Sequence, residues 1–160
     1  MQPGQILVAK HGNTQVIKLV GDVRLTLCVS FDNFIEKTFN GDGLSCVVFD
    51  LTAATAVDST TLGLMAKIAI LSKERCELIP VVFSTNPSVN RLLEIMGFED
   101  IFEIIHDEHE FKKPCKHITL SDVDEESAKK RVIEAHEILM QLNDSNKEAF
   151  KDLVSTLESQ

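Results

Sequence analysis

Residues 47–63 read Val47-Val-Phe-Asp50-Leu-Thr-Ala-Ala-Thr-Ala-Val-Asp58-Ser59-Thr60-Thr61-Leu62-Gly63, and this stretch decides the fold. Leu44 to Leu51 is a continuous apolar run closed by Asp50. A strand that is apolar on both faces is a central one, covered from both sides. Thr52 to Asp58 is weakly patterned and reads as a connector. Ser59 to Lys73 carries Leu62, Met65, Ala66, Ala69 and Ile70 on one face at helical spacing, so a helix begins at Ser59. The connector brings Asp58 and three consecutive hydroxyls, Ser59, Thr60 and Thr61, to that helix N-terminus. Unpaired backbone N–H groups and the positive end of the helix dipole meet there.

Outward from this unit, the chain continues to alternate. Two Val- and Ile-rich runs, 5–10 and 14–20, flank His11-Gly12-Asn13, which predicts a β-hairpin. Leu27, Phe31, Phe34, Ile35 and Thr38 or Phe39 place a helix over 24–39, stopped by Asn40-Gly41-Asp42-Gly43. Downstream, Leu78 to Phe83 is a second buried strand. Asn86-Pro87 opens a helix with Pro at its first position, Gly97 ends it, and Ile101 to Ile105 is a last short strand. The order β-β-α-β-α-β-α-β predicts a small α/β sandwich: a mixed sheet with helices packed on it.

Residues 106–117 are polar and predict a connector with a short helix before Pro114. Ser121 to Leu142 is an amphipathic helix with Val132, Ala135, Leu139 and Leu142 as its stripe, opened by Asp122 and Glu125. Asn143-Asp-Ser-Asn breaks it. Ser145 and Glu148 have capping-box spacing for a final helix bearing Phe150, Leu153, Val154 and Leu157. The division expected is 1–105 for the α/β domain, 106–120 for the connector and 121–160 for a helical hairpin.

Composition narrows the function classes. Sixteen Lys+Arg against 25 Asp+Glu give a net charge of −9, which argues against nucleic acid or an anionic membrane as partner. No apolar stretch is long enough to span a bilayer. The N-terminus lacks the basic and apolar regions of a signal peptide, so a cytoplasmic protein is expected. Cys28, Cys46, Cys76 and Cys115 are widely spaced and read as reduced thiols. His106, His109, Cys115 and His117 cluster, but at spacings that fit no zinc pattern; no metal and no cofactor are expected. There is no phosphate-loop or dinucleotide motif. A Ser59 nucleophile would need a positioned base, and the sequence places no His beside it.

Asp58-Ser59-Thr60 is a natural helix cap. It is also a place where a phosphate fits, because free N–H groups can hold the added charge. Asp50-Leu51, followed by Asp58-Ser59-Thr60-Thr61-Leu62-Gly63, resembles the signature of STAS-domain proteins, the family of bacterial anti-sigma-factor antagonists. The likeness continues through Ser84-Thr-Asn-Pro87-Ser-Val-Asn-Arg91-Leu-Leu-Glu-Ile-Met-Gly97-Phe and covers residues 5–105. The resemblance implies a non-enzymatic phosphoprotein of transcription regulation and signal transduction that works by partner switching. Its phosphoacceptor would be Ser59, with Thr60 as the alternative. Its docking surface would comprise Asp58, Ser59, Thr60, Thr61, Leu62 and Gly63. Its partners would be an anti-sigma factor or histidine-kinase-like Ser/Thr kinase, and a PP2C-type phosphatase, free or fused to a response regulator. Thr61 stands where the family carries Gly, which narrows the approach of a partner backbone. The alternative on the same fold is an unphosphorylated scaffold subunit of a transporter or sensory complex.

Overall fold

The computed structural model describes residues 4–40, 44–106, 116–117 and 124–159. Strands β1 (Gln5–His11) and β2 (Thr14–Val23) form the expected hairpin, with Gly12 taking the left-handed conformation at its turn. A short 3-10 turn, Leu25–Leu27, leads into helix α1 (Cys28–Phe39). Strand β3 (Cys46–Val57) runs directly to helix α2 (Ser59–Cys76). Strand β4 (Val81–Phe83), helix α3 (Pro87–Ile95), strand β5 (Glu103–Ile105), strand β6 (Lys116–His117) and helices α4 (Glu125–Leu142) and α5 (Asp144–Glu158) follow. The sheet order is β5-β4-β3-β2-β1-β6. The pairs between β2 and β5 are parallel, and β1 is antiparallel to both β2 and β6. This is the mixed α/β sheet with packed helices that the alternation predicted.

The connector expected at 52–58 is strand. β3 continues to Val57 because β2 also continues, to Val23, and pairs with it. Two register shifts disguise the pattern: Lys18 faces Asp50 but Val20 faces Ala53, and Gly21 faces Ala54 but Asp22 faces Ala56. Each places one extra residue on β3, as a β-bulge does. The first has a visible cause. Asp50 Oδ1 accepts hydrogen bonds from the Thr52 amide at 2.9 Å and the Thr52 hydroxyl at 2.6 Å, bending the strand there. Bulges break two-residue alternation, so the run did not read as a strand.

Other boundaries moved for local reasons. The strand expected from Leu78 starts only at Val81, because Glu77 turns left-handed to close α2 and Pro80 has no N–H to pair. The strand expected from Ile101 starts at Glu103, since the Ile101 and Phe102 amides are bound to the Phe98 carbonyl. Helix α5 is capped by Asn143, whose side chain accepts from the Asn146 amide at 2.7 Å, and not by Ser145. Asp124 caps α4; the expected start at Ser121 and Asp122, the glycine stop at 41–43 and the short helix before Pro114 lie outside the described residues.

One hydrophobic core joins the sheet (Ile6, Ile17, Leu19, Phe49, Leu51) to α1 (Phe31, Ile35) and α2 (Leu62, Met65, Ala66). Ala135 and Leu139 of α4 belong to the same core. Phe49 is fully buried and meets Phe102 edge-on, ring centroids 5.7 Å apart. Phe49→Ala is expected to cost about 3–5 kcal/mol, read as a lower urea midpoint with an unchanged slope.

Candidate functional site

The end of β3 fixes the start of α2. The Asp58 amide bonds to the Val23 carbonyl, which holds the strand exit in place. The Asp58 carboxylate then serves two helical starts at once. Oδ1 accepts from the Thr61 amide at 2.9 Å, capping α2, and Oδ2 accepts from the Leu25 amide at 2.6 Å, at the turn that opens α1. Both oxygens of Asp58 are therefore engaged in holding the fold. Ser59, next in the chain, is half-buried, while Thr60 and Thr61 are each 2% exposed and Leu62 and Gly63 are buried.

No base for Ser59 is legible in the sequence, and the structure supplies a histidine from 77 positions away. The Ser59 hydroxyl lies 2.7 Å from Nε2 of His136 on α4. His136 Nδ1 is 2.7 Å from the Val132 carbonyl. A carbonyl can only accept, so Nδ1 carries a proton; in the neutral imidazole Nε2 is then the acceptor and Ser59 donates. Phe150 of α5 stands edge-on to the imidazole, with ring centroids 4.9 Å apart. The distance is that of a nucleophile and its base. His136 is nevertheless only 2% exposed, and its one acceptor is filled by Ser59. The arrangement holds the hydroxyl in a fixed direction and covers it.

Two further contacts fasten α4 over α2. A Cβ added to Gly63 would lie 2.3 Å from the Ala135 carbonyl oxygen and 2.6 Å from its Cβ, so the two helices touch backbone to backbone. The glycine of α2 that another backbone approaches closely is thus Gly63, two residues beyond Thr61. Lys67, one turn further, reaches Asp32 at 2.8 Å and Glu36 at 2.9 Å on α1, and Glu134 at 2.7 Å on α4. Arg131 lies 3.2 Å from Asp32. At the far end, Asn146 donates to the Met96 and Leu139 carbonyls, both at 2.9 Å, tying the hairpin to the end of α3.

Burial works to lower the pKa of Lys67, but its hydrogen bonds to Asp32, Glu134 and Glu36 outweigh that and hold the ammonium above its ordinary value. The hydrogen bond from Lys67 holds Glu36 below its ordinary value, against the opposing effect of burial. Of the cysteines, Cys28 is buried and its thiol is pushed up chiefly by that burial; Cys46 and Cys76 are half-buried. His109 and Cys115 lie outside the described residues, among which no cluster of metal-capable side chains forms. His106 Nδ1 lies 3.1 Å from the Ser84 carbonyl. Among the described residues no helix is long and apolar enough to cross a membrane.

A six-stranded mixed sheet whose central strand hands an Asp-Ser pair to a helix start defines an α/β domain with its site at that junction. The STAS domain family matches residues 5–111, and the chain belongs to that family. Among solved structures, an anti-sigma factor antagonist from Mycobacterium paratuberculosis aligns at TM-score 0.53 and 22% identity, over 63% of this chain and 84% of that one. The anti-sigma factor antagonist SpoIIAA in its unphosphorylated form aligns at TM-score 0.52 and 16% identity, over 80% of this chain and 96% of that one. At these identities the likeness is one of fold. No curated protein matches the chain.

Asp32 is 5% exposed, so removing the charge of Lys67 leaves a buried carboxylate with Arg131, 3.2 Å away, as its remaining cation. Lys67→Met is expected to lower stability by about 2–3 kcal/mol near neutral pH, less than a fully buried pair would lose, because Glu36 and Glu134 are half in water. The pH dependence follows from the two shifts. The depressed Glu36 contributes fully above 4.5, its ordinary value, and loses that contribution as pH falls through its lower folded value. The raised Lys67 contributes fully below 10.5 and loses it as pH rises through its higher folded value. The gap between wild type and Lys67→Met, measured by urea unfolding, should stay level between those limits and narrow in acid.

Proposed function

We propose that this chain is a phosphorylation-switched, non-enzymatic binding protein that acts as an anti-sigma-factor antagonist, with Ser59 as the switch residue. The observation that carries this reading is the placement of Ser59, a half-buried residue, at the N-terminus of an 18-residue helix, beside two threonines that are buried. The burial of Thr60 favours Ser59 over it as the acceptor. The neighbours described as anti-sigma factor antagonists support the class of partner. That partner is an anti-sigma factor, or a histidine-kinase-like Ser/Thr kinase acting as one, and a PP2C-type phosphatase resets the switch. In this division of labour residues 1–105 are the switching domain, 106–120 the connector and 121–160 the helical appendage.

The chemistry of the switch is electrostatic. Phosphate brings about −1.5 to −2 charges to Ser59, on a protein already at −9. It also replaces the proton that His136 accepts with three oxygens that only accept, in a gap of 2.7 Å. A partner seated on the neutral hydroxyl would have to bury that charge, which is costly without a paired cation.

Ser59→Ala should be retained by the unphosphorylated-state partner, and Ser59→Asp should lose at least about tenfold in affinity, or about 1.4 kcal/mol. After incubation with the kinase, phosphopeptide mass spectrometry should place the modification on Ser59 and leave Thr60 unmodified. Equal affinity of wild type and both variants would sink the switch.

A further inference from the structure

Three consecutive residues of α4 meet three positions spaced one turn apart on α2. Glu134 takes Lys67, Ala135 lies against Gly63, and His136 accepts from Ser59. The covered positions include two of the surface residues assigned above to partner docking. Each contact is complementary in its own way: a carboxylate for an ammonium, a small residue for a glycine, an acceptor for a hydroxyl proton.

We propose that α4 is an intramolecular stand-in for a partner's helix: the α4–α5 hairpin occupies the docking face of α2, and the partner binds by displacing it. This rests on the reading of Ser59 as the switch residue. The face specifies its visitor. A helix that replaces α4 must carry Gly or Ala at the crossing, because no larger side chain fits against Gly63. It must bring a carboxylate to Lys67, which otherwise faces Asp32 and Glu36 alone. It must offer an acceptor to the Ser59 hydroxyl and no second anion there, so it loses its seat once Ser59 is phosphorylated. The docked hairpin also keeps the hydroxyl from a kinase, and access to Ser59 is therefore set by how often the hairpin opens.

Gly63 gives the opening variant. Gly63→Ala improves helix propensity at an interior position, yet its Cβ would collide with the backbone of α4. Leu139→Asp opens the contact from the hairpin side and leaves the face of α2 unchanged; Leu139 is fully buried there. The reporter is Ser59→Cys in a full chain whose Cys28, Cys46, Cys76 and Cys115 are replaced by alanine, labelled with a disulfide reagent. Labelling should be slow in the parent and at least ten times faster in each opening variant, with the circular dichroism of the sheet retained. Unchanged labelling in both variants overturns the proposal, and so does loss of the fold in both, which would make α4 a permanent wall of the core. A synthetic peptide of residues 124–142 should bind the full-length Leu139→Asp chain and not wild type, and the same peptide carrying Ala135→Leu should not bind. Failure of the unmodified peptide to bind Leu139→Asp also overturns it. None of these measurements involves a phosphate, so they can succeed even if Ser59 proves never to be phosphorylated.

Discussion

The N-terminal half of helix α2 has no side that it can turn to water. Thr60 to Ala66 are seven buried residues in succession, nearly two full turns, so burial reaches every direction around the axis. A helix apolar all round has to be enclosed. The sheet and α1 enclose one side of it, and without α4 the other side would be open. This requirement explains why the hydrophobic core does not end with the α/β domain but runs on into Ala135 and Leu139. It also explains the small residues at the crossing, since only Gly63 against Ala135 lets two backbones close the gap with no room for solvent.

The elements with strong local signals were legible in the sequence. The 5–10 and 14–20 runs around Gly12-Asn13 gave the hairpin, and Asn86-Pro87 with Gly97 gave both ends of α3, where Asn86 accepts from the Ser88 amide and Gly97 is left-handed. Residues 52–57 were not legible, because the Asp50–Thr52 bonds insert a bulge and erase alternation. The Asn143 cap could have been found: Asn is as good a cap as Ser, and the three-residue step to Asn146 was in view. Instead, Ser145 and Glu148 offered a more familiar pattern.

The site divided in the same way. Ser59 at a helix start was visible because capping and phosphate binding use the same local chemistry. The one-faced reading of α2, from Leu62, Met65, Ala66, Ala69 and Ile70, missed that Gly63 and Ser59 are covered too. That cover comes from a helix more than seventy residues on, and no local period encodes it. Glycine inside an otherwise apolar helix was the one available hint, since it costs helix stability and is kept where something comes close. The double use of Asp58 was likewise hidden, because its second partner, Leu25, belongs to another element.

The edges of the sheet carry a consequence of their own. β1 is flanked by the two-residue strand β6 at Leu7 and Val8, and the opposite border is the three-residue β5. A chain that recognises its partners by lending them a strand needs a long, free border of N–H and C=O groups. Here one border is interrupted at its middle and the other is barely a turn of pleat long. Among the described residues neither sheet border offers such an edge, which is in keeping with docking proposed on the face of α2, where shape and a few polar groups decide the fit.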